Sequence, residues 1–148
     1  MSQRERIRKG DTVEHPFTVN DDAMKAFQAL SGDMSLIHTD KAFAESRGYK
    51  DVIVYGGLML AHLSHVVGEM SPGKHGASVK WTITYRAPLY IGERACLRFE
   101  VMNVSASMGL VQGRFNIMCG DTLIAEGETQ SIVPLELIYE PEEAAGAS

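Results

Sequence analysis

The run from Leu58 to about Met70 constrains the fold more than any other part of the chain. Leu58, Met59, Leu60, Ala61, Leu63, Val66, Val67 and Met70 leave little of this helical segment polar. A helix with one apolar stripe lies on a surface, whereas one that is apolar on most sides must be buried on most sides. The rest of the chain therefore has to wrap it. Pro72-Gly73 supplies the turn that ends the run.

The wrapping surface is legible downstream. Val79, Trp81, Ile83 and Tyr85 alternate with Lys80, Thr82, Thr84 and Arg86, the period of a half-buried strand. Leu97, Phe99 and Val101 repeat the pattern, as do Val111, Phe115 and Ile117, and then Leu123, Ala125, Thr129 and Val133. Turn signals stand between them: Pro88 with Gly92, Ser105–Gly109, and the hairpin-type pair Gly120-Asp121. Short strands joined by tight turns pair antiparallel. Upstream, Thr12–Val19 predicts a strand, and Asn20 caps a helix with Met24, Phe27 and Leu30 as its buried stripe, stopped at Ser31-Gly32. A second short helix fits Lys41–Arg47, with Asp40 as its cap and Gly48 as its stop. The expectation is a two-layer α+β domain in which an antiparallel sheet of about five strands wraps one long central helix. A free sheet edge or face would suit a partner subunit, so a homodimer is expected.

At 148 residues the chain fits one domain spanning 1–148, with a core of about 10–135 and an acidic tail, 140–148, expected to fray. The net charge of −5 removes the usual footprint of a nucleic-acid binder. Arg4, Arg6, Arg8 and Lys9 read as a solvated arm. No apolar run approaches the roughly 20 residues of a bilayer helix, so no membrane association is expected. The N-terminus shows no secretory h-region, and Cys96 and Cys119 have neither CxxC spacing nor a paired histidine. Reduced, partly buried thiols in a cytoplasmic protein are the expectation.

Reactive side chains are densest in Ser31–Asp40, SGDMSLIHTD, where Asp33 and His38 stand five residues apart between two short helices. A loop can turn both toward one water, the carboxylate orienting the imidazole or accepting a proton. The alternative is a turn-capping Asp33 and an ordinary polar His38. Gly56-Gly57 opens the buried helix, and unpaired N–H groups there must find an acceptor, such as a carbonyl becoming an oxyanion. A tight turn required by packing explains the same glycines. Ser64 interrupts the apolar helix, and the default for a buried serine is a bond to its own helix. His62 and His65 lack a third ligand at useful spacing, so no metal is expected, and His15 and His75 have no evident partners.

The segment Ala29–Ala44, ALSGDMSLIHTDKAFA, resembles the hydration motif of the MaoC-like, (R)-specific enoyl-CoA hydratases, with Asp33, His38 and Asp40 on matching positions. Val52–Gly68 resembles that family's approach to its central helix. Ser71-Pro72-Gly73 resembles its Leu-Pro-Gly turn, and Tyr85-Arg86-Ala87-Pro88 to Gly92 its Phe/Tyr-x-x-Pro-x-x-x-Gly. The resemblance runs from about Gly10 to Val133. It implies a hotdog fold and assembly as at least a dimer.

It also implies a chemistry: Asp33 and His38 activate a water that adds to C3 of a trans-2-enoyl thioester, while the Gly56 amide stabilises the thioester oxygen. Ser64 and Ser35 would support the site, and Met34, Leu36, Tyr55, Gly57 and Met59 would surround the acyl group. No cofactor is implied beyond the CoA or acyl-carrier protein that enters with the substrate. Lys74, Lys80, Arg86 and Arg94 are candidate phosphate contacts. Three positions depart from the family's pattern: Ser35 stands for Asn, Leu36 for Pro, and Tyr55 for the His that many members carry before the glycine. Two alternatives stay open: a hotdog thioesterase, which would direct water from a carboxylate near the helix start and has no need of the Asp33/His38 pairing, and a non-catalytic acyl-binding or assembly module, which the three departures support.

Overall fold

The computed structural model describes residues 6–141; Arg4 of the basic arm and residues 142–148 of the tail lie outside them. Five strands, β1 (Thr12–Thr18), β2 (Ala77–Tyr85), β3 (Arg94–Ser105), β4 (Leu110–Cys119) and β5 (Thr122–Ile132), form one antiparallel sheet in the order β1-β3-β4-β5-β2. The helices are α1 (Asp21–Ser31), α2 (Leu36–Thr39), α3 (Lys41–Ser46) and α4 (Gly56–His65), and α4 runs on into a π-helical turn, Val66–Met70. This is the α+β hotdog architecture, with α4 as the central helix.

The inward faces of β3 and β4 follow the period-two reading. Leu97, Phe99, Val101, Val111, Phe115 and Ile117 are all buried, and Leu58, Met59, Leu63, Val66 and Val67 of the central helix join them in one core. Each fully buried aliphatic side chain contributes about 1.5–3 kcal/mol of transfer free energy. The caps also follow the sequence. Asn20 Oδ1 accepts from the Ala23 N–H at 2.9 Å, Asp40 Oδ1 accepts from the Phe43 N–H at 3.0 Å, and Gly32 ends α1 in the left-handed region at φ +71°. Gly120-Asp121 makes a two-residue hairpin turn between β4 and β5.

Four expectations are corrected. Leu30 is 86% exposed, not buried with Met24. Residues spaced by three drift backward by about 60° per step on a helix of about 100° per residue, so Leu30 lies about 120° round from Met24. The central helix is not covered on most sides within one chain, because Ala61, Ser64 and His65 face outward. Val79 is 62% exposed and Tyr85 is also exposed, because β2 is an edge strand with β5 as its one neighbour. In β5 Ala125 and Thr129 are buried as expected, but Ile124 is buried in place of Leu123: a register shift between Ile117 and Met118 inserts an extra residue there.

His15, expected to stand alone, has partners. Its Nε2 lies 3.0 Å from His62 Nδ1, and its ring lies 4.6 Å from that of His65, while Phe17 stacks on His62 at 3.9 Å. Burial lowers the pKa of His15 and His62 from the ordinary 6.5, and repulsion among the three rings adds to the effect. A histidine whose pKa is lowered by folding binds its proton better in the unfolded chain. Stability from this cluster is therefore complete above pH 6.5 and falls as the pH drops through the unfolded value toward the lowered folded ones. The melting temperature is expected to fall between pH 7.5 and 5.5, and His62→Gln is expected to flatten that slope. A melting temperature equal at the two pH values, or a slope unchanged in the variant, would contradict it.

Among the described residues, no group of three or more His, Cys, Asp or Glu side chains is arranged to hold a metal ion. No helix among them is long and apolar enough to cross a membrane.

Candidate active site

A cavity of about 410 Å³ opens where four segments converge: His38 of α2, Tyr49 after α3, Ile53 and Val54 with Gly56 and Met59 at the start of α4, and Tyr85–Leu89 at the exit of β2. The loop expected to carry His38 is partly helical. Ser35 leads into α2, whose four residues set the imidazole on the inward side, half-buried.

The hydrogen bonds of His38 define its chemistry. Nδ1 lies 2.8 Å from the Ile53 carbonyl oxygen, which can only accept, so Nδ1 carries the proton and donates. In the neutral ring Nε2 is then left with its lone pair, the arrangement of a general base. The Tyr55 ring lies against the imidazole, with centroids 4.1 Å apart.

Asp33 adjoins this group without lining the cavity. Its Oδ1 accepts from the Ser35 N–H at 2.9 Å and from the Ser35 hydroxyl at 2.5 Å. These two bonds hold the carboxyl pKa below its ordinary value, and the nearby His38 adds to the lowering. Asp33 is therefore a carboxylate at neutral pH. No hydrogen bond joins Asp33 to His38 among the described residues. Ser35, which the sequence reading treats as a departure, is thus the residue that fixes the Asp33 carboxylate.

The start of α4 is uncapped. Tyr55 occupies the N-cap position without a side-chain bond to the helix, and no described residue accepts from the N–H of Gly56 or Gly57. These donors carry the positive end of the helix dipole. Both glycines also answer to packing. A Cβ on Gly56 would lie 2.6 Å from the Tyr85 ring and hydroxyl, and one on Gly57 would lie 2.3 Å from the Phe27 ring. The turn-and-packing explanation of the Gly-Gly pair holds beside the functional one, since both demand the absence of a side chain.

Of the residues singled out from the sequence, His38, Gly56 and Met59 meet in this cavity, with Asp33, Ser35 and Tyr55 adjoining. Tyr55 and Gly57 are packed behind the wall, and Met34 and Leu36, 60% and 52% exposed, are not among the lining residues. Ser64 lies two turns along α4 on its exposed side. Tyr49, Tyr85, Ala87 and Pro88 line the cavity without having been singled out for it. The Tyr-x-x-Pro turn was the available signal, since it closes β2 directly over Gly56. Of the four basic candidates only Arg86 lines the cavity, 3.6 Å from Glu126. Lys74 is engaged with Glu69 at 3.2 Å. Partial desolvation of the Tyr85 phenol, where it lies over Gly56, raises its pKa above the ordinary value.

Comparison with known proteins gives this arrangement a context. The (R)-specific enoyl-CoA hydratase of Rhodospirillum rubrum is 25% identical over 130 residues, which cover 88% of this chain and 90% of that protein. The (R)-specific enoyl-CoA hydratase of Aeromonas caviae is 32% identical over 76 residues, 51% of this chain, and the match spans little more than half of that relative, 57%. In structure, the (R)-hydratase from A. caviae involved in PHA biosynthesis superposes with a TM-score of 0.81 at 24% identity, covering 86% of this chain and 98% of that one. An R-hydratase of Pseudomonas aeruginosa gives 0.79 at 22% identity, covering 95% and 94%. The model of the MaoC like domain matches residues 4–116, and this chain belongs to that family.

Proposed function

We propose that this protein is a hydro-lyase that reversibly hydrates trans-2-enoyl thioesters to (R)-3-hydroxyacyl thioesters. The observation that carries the reading is the meeting, in one cavity, of an imidazole whose Nε2 is free to accept a proton and a helix start whose N–H groups have no protein acceptor. Kinship with proteins named as (R)-specific hydratases supports the choice of reaction and of product hand.

The chemistry follows from where charge must go. Addition at C3 requires electron density to move through C2 onto the thioester oxygen. The Gly56 N–H, at the positive end of α4, is suited to receive it, with no reorganisation during the reaction. His38 Nε2 takes a proton from the attacking water, whose oxygen bonds to C3. The Asp33 carboxylate stabilises the imidazolium so formed. The His38 imidazolium then delivers that proton to C2, which restores the neutral imidazole and completes the addition, and the reverse sequence is dehydration. Holding water, C3 and base in one geometry is itself worth several kcal/mol of barrier, of the order of 7–11 in the best-oriented cases. The addition as written balances without a cofactor.

The thioester is carried on CoA or an acyl-carrier protein, with Arg86 the cation among the residues that line the cavity. A second copy of the chain would cover the outward face of α4, at Ala61, Ser64 and His65, and the free edge of β2. Purified protein with crotonyl-CoA tests the reaction. Loss of the enoyl absorbance without release of free thiol is the expected result. Thiol release would point to a thioesterase, and neither change to a binding module.

A further inference from the structure

Tyr55 is 1% exposed, and a buried tyrosine hydroxyl needs a partner. It finds one at Asp33: the Tyr55 hydroxyl donates to the Asp33 main-chain carbonyl oxygen at 2.6 Å, across 22 positions of sequence. One face of the ring lies against His38 at 4.1 Å, and Phe27 packs on the ring at 4.7 Å. Through its own peptide bond Tyr55 also leads directly into Gly56, the first residue of α4.

The short segment that holds Tyr55 is itself pinned. The Ile53 N–H donates to the Ile37 carbonyl at 3.1 Å, and the Val54 N–H donates to the Leu89 carbonyl at 2.8 Å. The Ile53 carbonyl accepts from His38 Nδ1. Three groups assigned to the reaction therefore share one support. The imidazole is bonded at one edge by Ile53 and backed on one face by Tyr55, the Asp33 main chain hangs from the Tyr55 hydroxyl, and Gly56 follows in the chain.

We infer that Tyr55 is a positioning residue that sets Asp33 and His38 relative to Gly56, rather than a wall of the acyl pocket. The inference rests on the hydratase reading for its kinetic consequence, although the geometry stands apart from it. With Ser35-Leu36 and no proline before His38, the aim of the imidazole comes from contacts outside α2. Tyr55 supplies it from the far side of the ring. A pocket-wall residue would govern the fit of the acyl chain and so KM. A positioning residue governs the approach of base to water and so kcat.

Two variants separate these roles. Tyr55→Phe keeps the ring against His38 and removes only the bond to Asp33, so kcat is expected to fall about tenfold with KM within about twofold. Tyr55→Leu removes both, and kcat is expected to fall about a hundredfold. Nitrogen-15 NMR of the imidazole gives a readout independent of turnover. With the Tyr55 ring holding Nδ1 on the Ile53 carbonyl, the wild type should show His38 as the single Nδ1–H tautomer, and Tyr55→Leu, which frees the imidazole to turn off that carbonyl, should show both tautomers. Loss of the single tautomer in Tyr55→Leu supports the positioning role even if the wild type fails to hydrate enoyl thioesters, a failure that counts against the hydratase reading alone. An unchanged tautomer in Tyr55→Leu overturns the role, as does a KM rise without a kcat loss in either variant. If Tyr55→Leu does not fold, Tyr55→Phe decides: kcat within twofold of wild type overturns the inference.

Discussion

Replacing His38 by Ala is expected to lower kcat for enoyl-thioester hydration by about 10²–10⁴-fold, with a much smaller change in KM. The cavity keeps its apolar lining and the helix start keeps its free N–H groups, so substrate still binds and its carbonyl is still polarised. What disappears is the one nitrogen placed to take the proton of the attacking water. The fold should survive, because His38 is only half-buried and the one hydrogen bond its side chain makes among the described residues, to the Ile53 carbonyl, can be replaced by water. Asp33→Asn is the companion. Its side-chain oxygen can still accept from Ser35, so the turn is kept while the charge that steadies an imidazolium is lost. Steady-state kinetics with crotonyl-CoA, alongside circular dichroism to confirm folding, decide the matter. Wild-type kcat in both variants would remove these residues from the reaction.

The largest stability effect is expected far from that chemistry, at Gly127. This residue sits on β5 opposite Ile83 of β2 and Phe115 of β4. A Cβ there would stand 1.8 Å from the Thr82 carbonyl oxygen and 2.9 Å from the Phe115 ring. A clash with a side-chain end can be relieved by a rotamer change, but a clash with a neighbouring strand's backbone cannot. Gly127→Ala has to push β2 away from β5, and overpacking of this kind costs about 1–3 kcal/mol, at times more. At the upper end that corresponds to a melting-temperature loss of roughly 10 °C for a domain of this size. The shift would also reach the cavity, since β2 ends in Tyr85 and feeds Arg86–Leu89 into its wall. Thermal unfolding followed at far-ultraviolet wavelengths measures it, and an unchanged melting temperature would show that the two strands have room to spare.

The sheet and its central helix could be read from the sequence because their signals are local. Period-two alternation in β3 and β4, the caps at Asn20 and Asp40 and the turn at Gly120-Asp121 each depend on residues a few positions apart. The failures have a common cause in tertiary geometry. Nothing local says that β2 is an edge strand, so Val79 and Tyr85 read as buried. The bulge that buries Ile124 depends on how β4 and β5 pair, and the His15–His62 contact joins residues 47 apart.

The site divides in the same way. His38 and Gly56 stood out because an imidazole in a loop and a glycine pair opening an apolar helix are unusual locally. Tyr49 and Tyr85 reach the cavity through the packing of α3 and β2, and Tyr55 reads locally as bulk in a pocket because its hydroxyl bond to Asp33 spans 22 positions. Ser35 shows the reverse case: a residue that weakens the motif as a pattern strengthens it as a structure, since its N–H and hydroxyl hold the Asp33 carboxylate in place.

The central claim is that water adds to C3 of an enoyl thioester with the thioester left whole. Turnover of crotonyl-CoA in oxygen-18-labelled deuterium oxide, with mass and chiral analysis of the product, tests it most directly. Hydration places one oxygen-18 at C3 and one deuterium at C2, yields the (R)-3-hydroxy thioester, and releases no free CoA. Oxygen-18 appearing in a free carboxylate, with CoA released and C3 unlabelled, would mean attack at the carbonyl carbon and would contradict the assignment of Asp33, His38 and Gly56 to hydration.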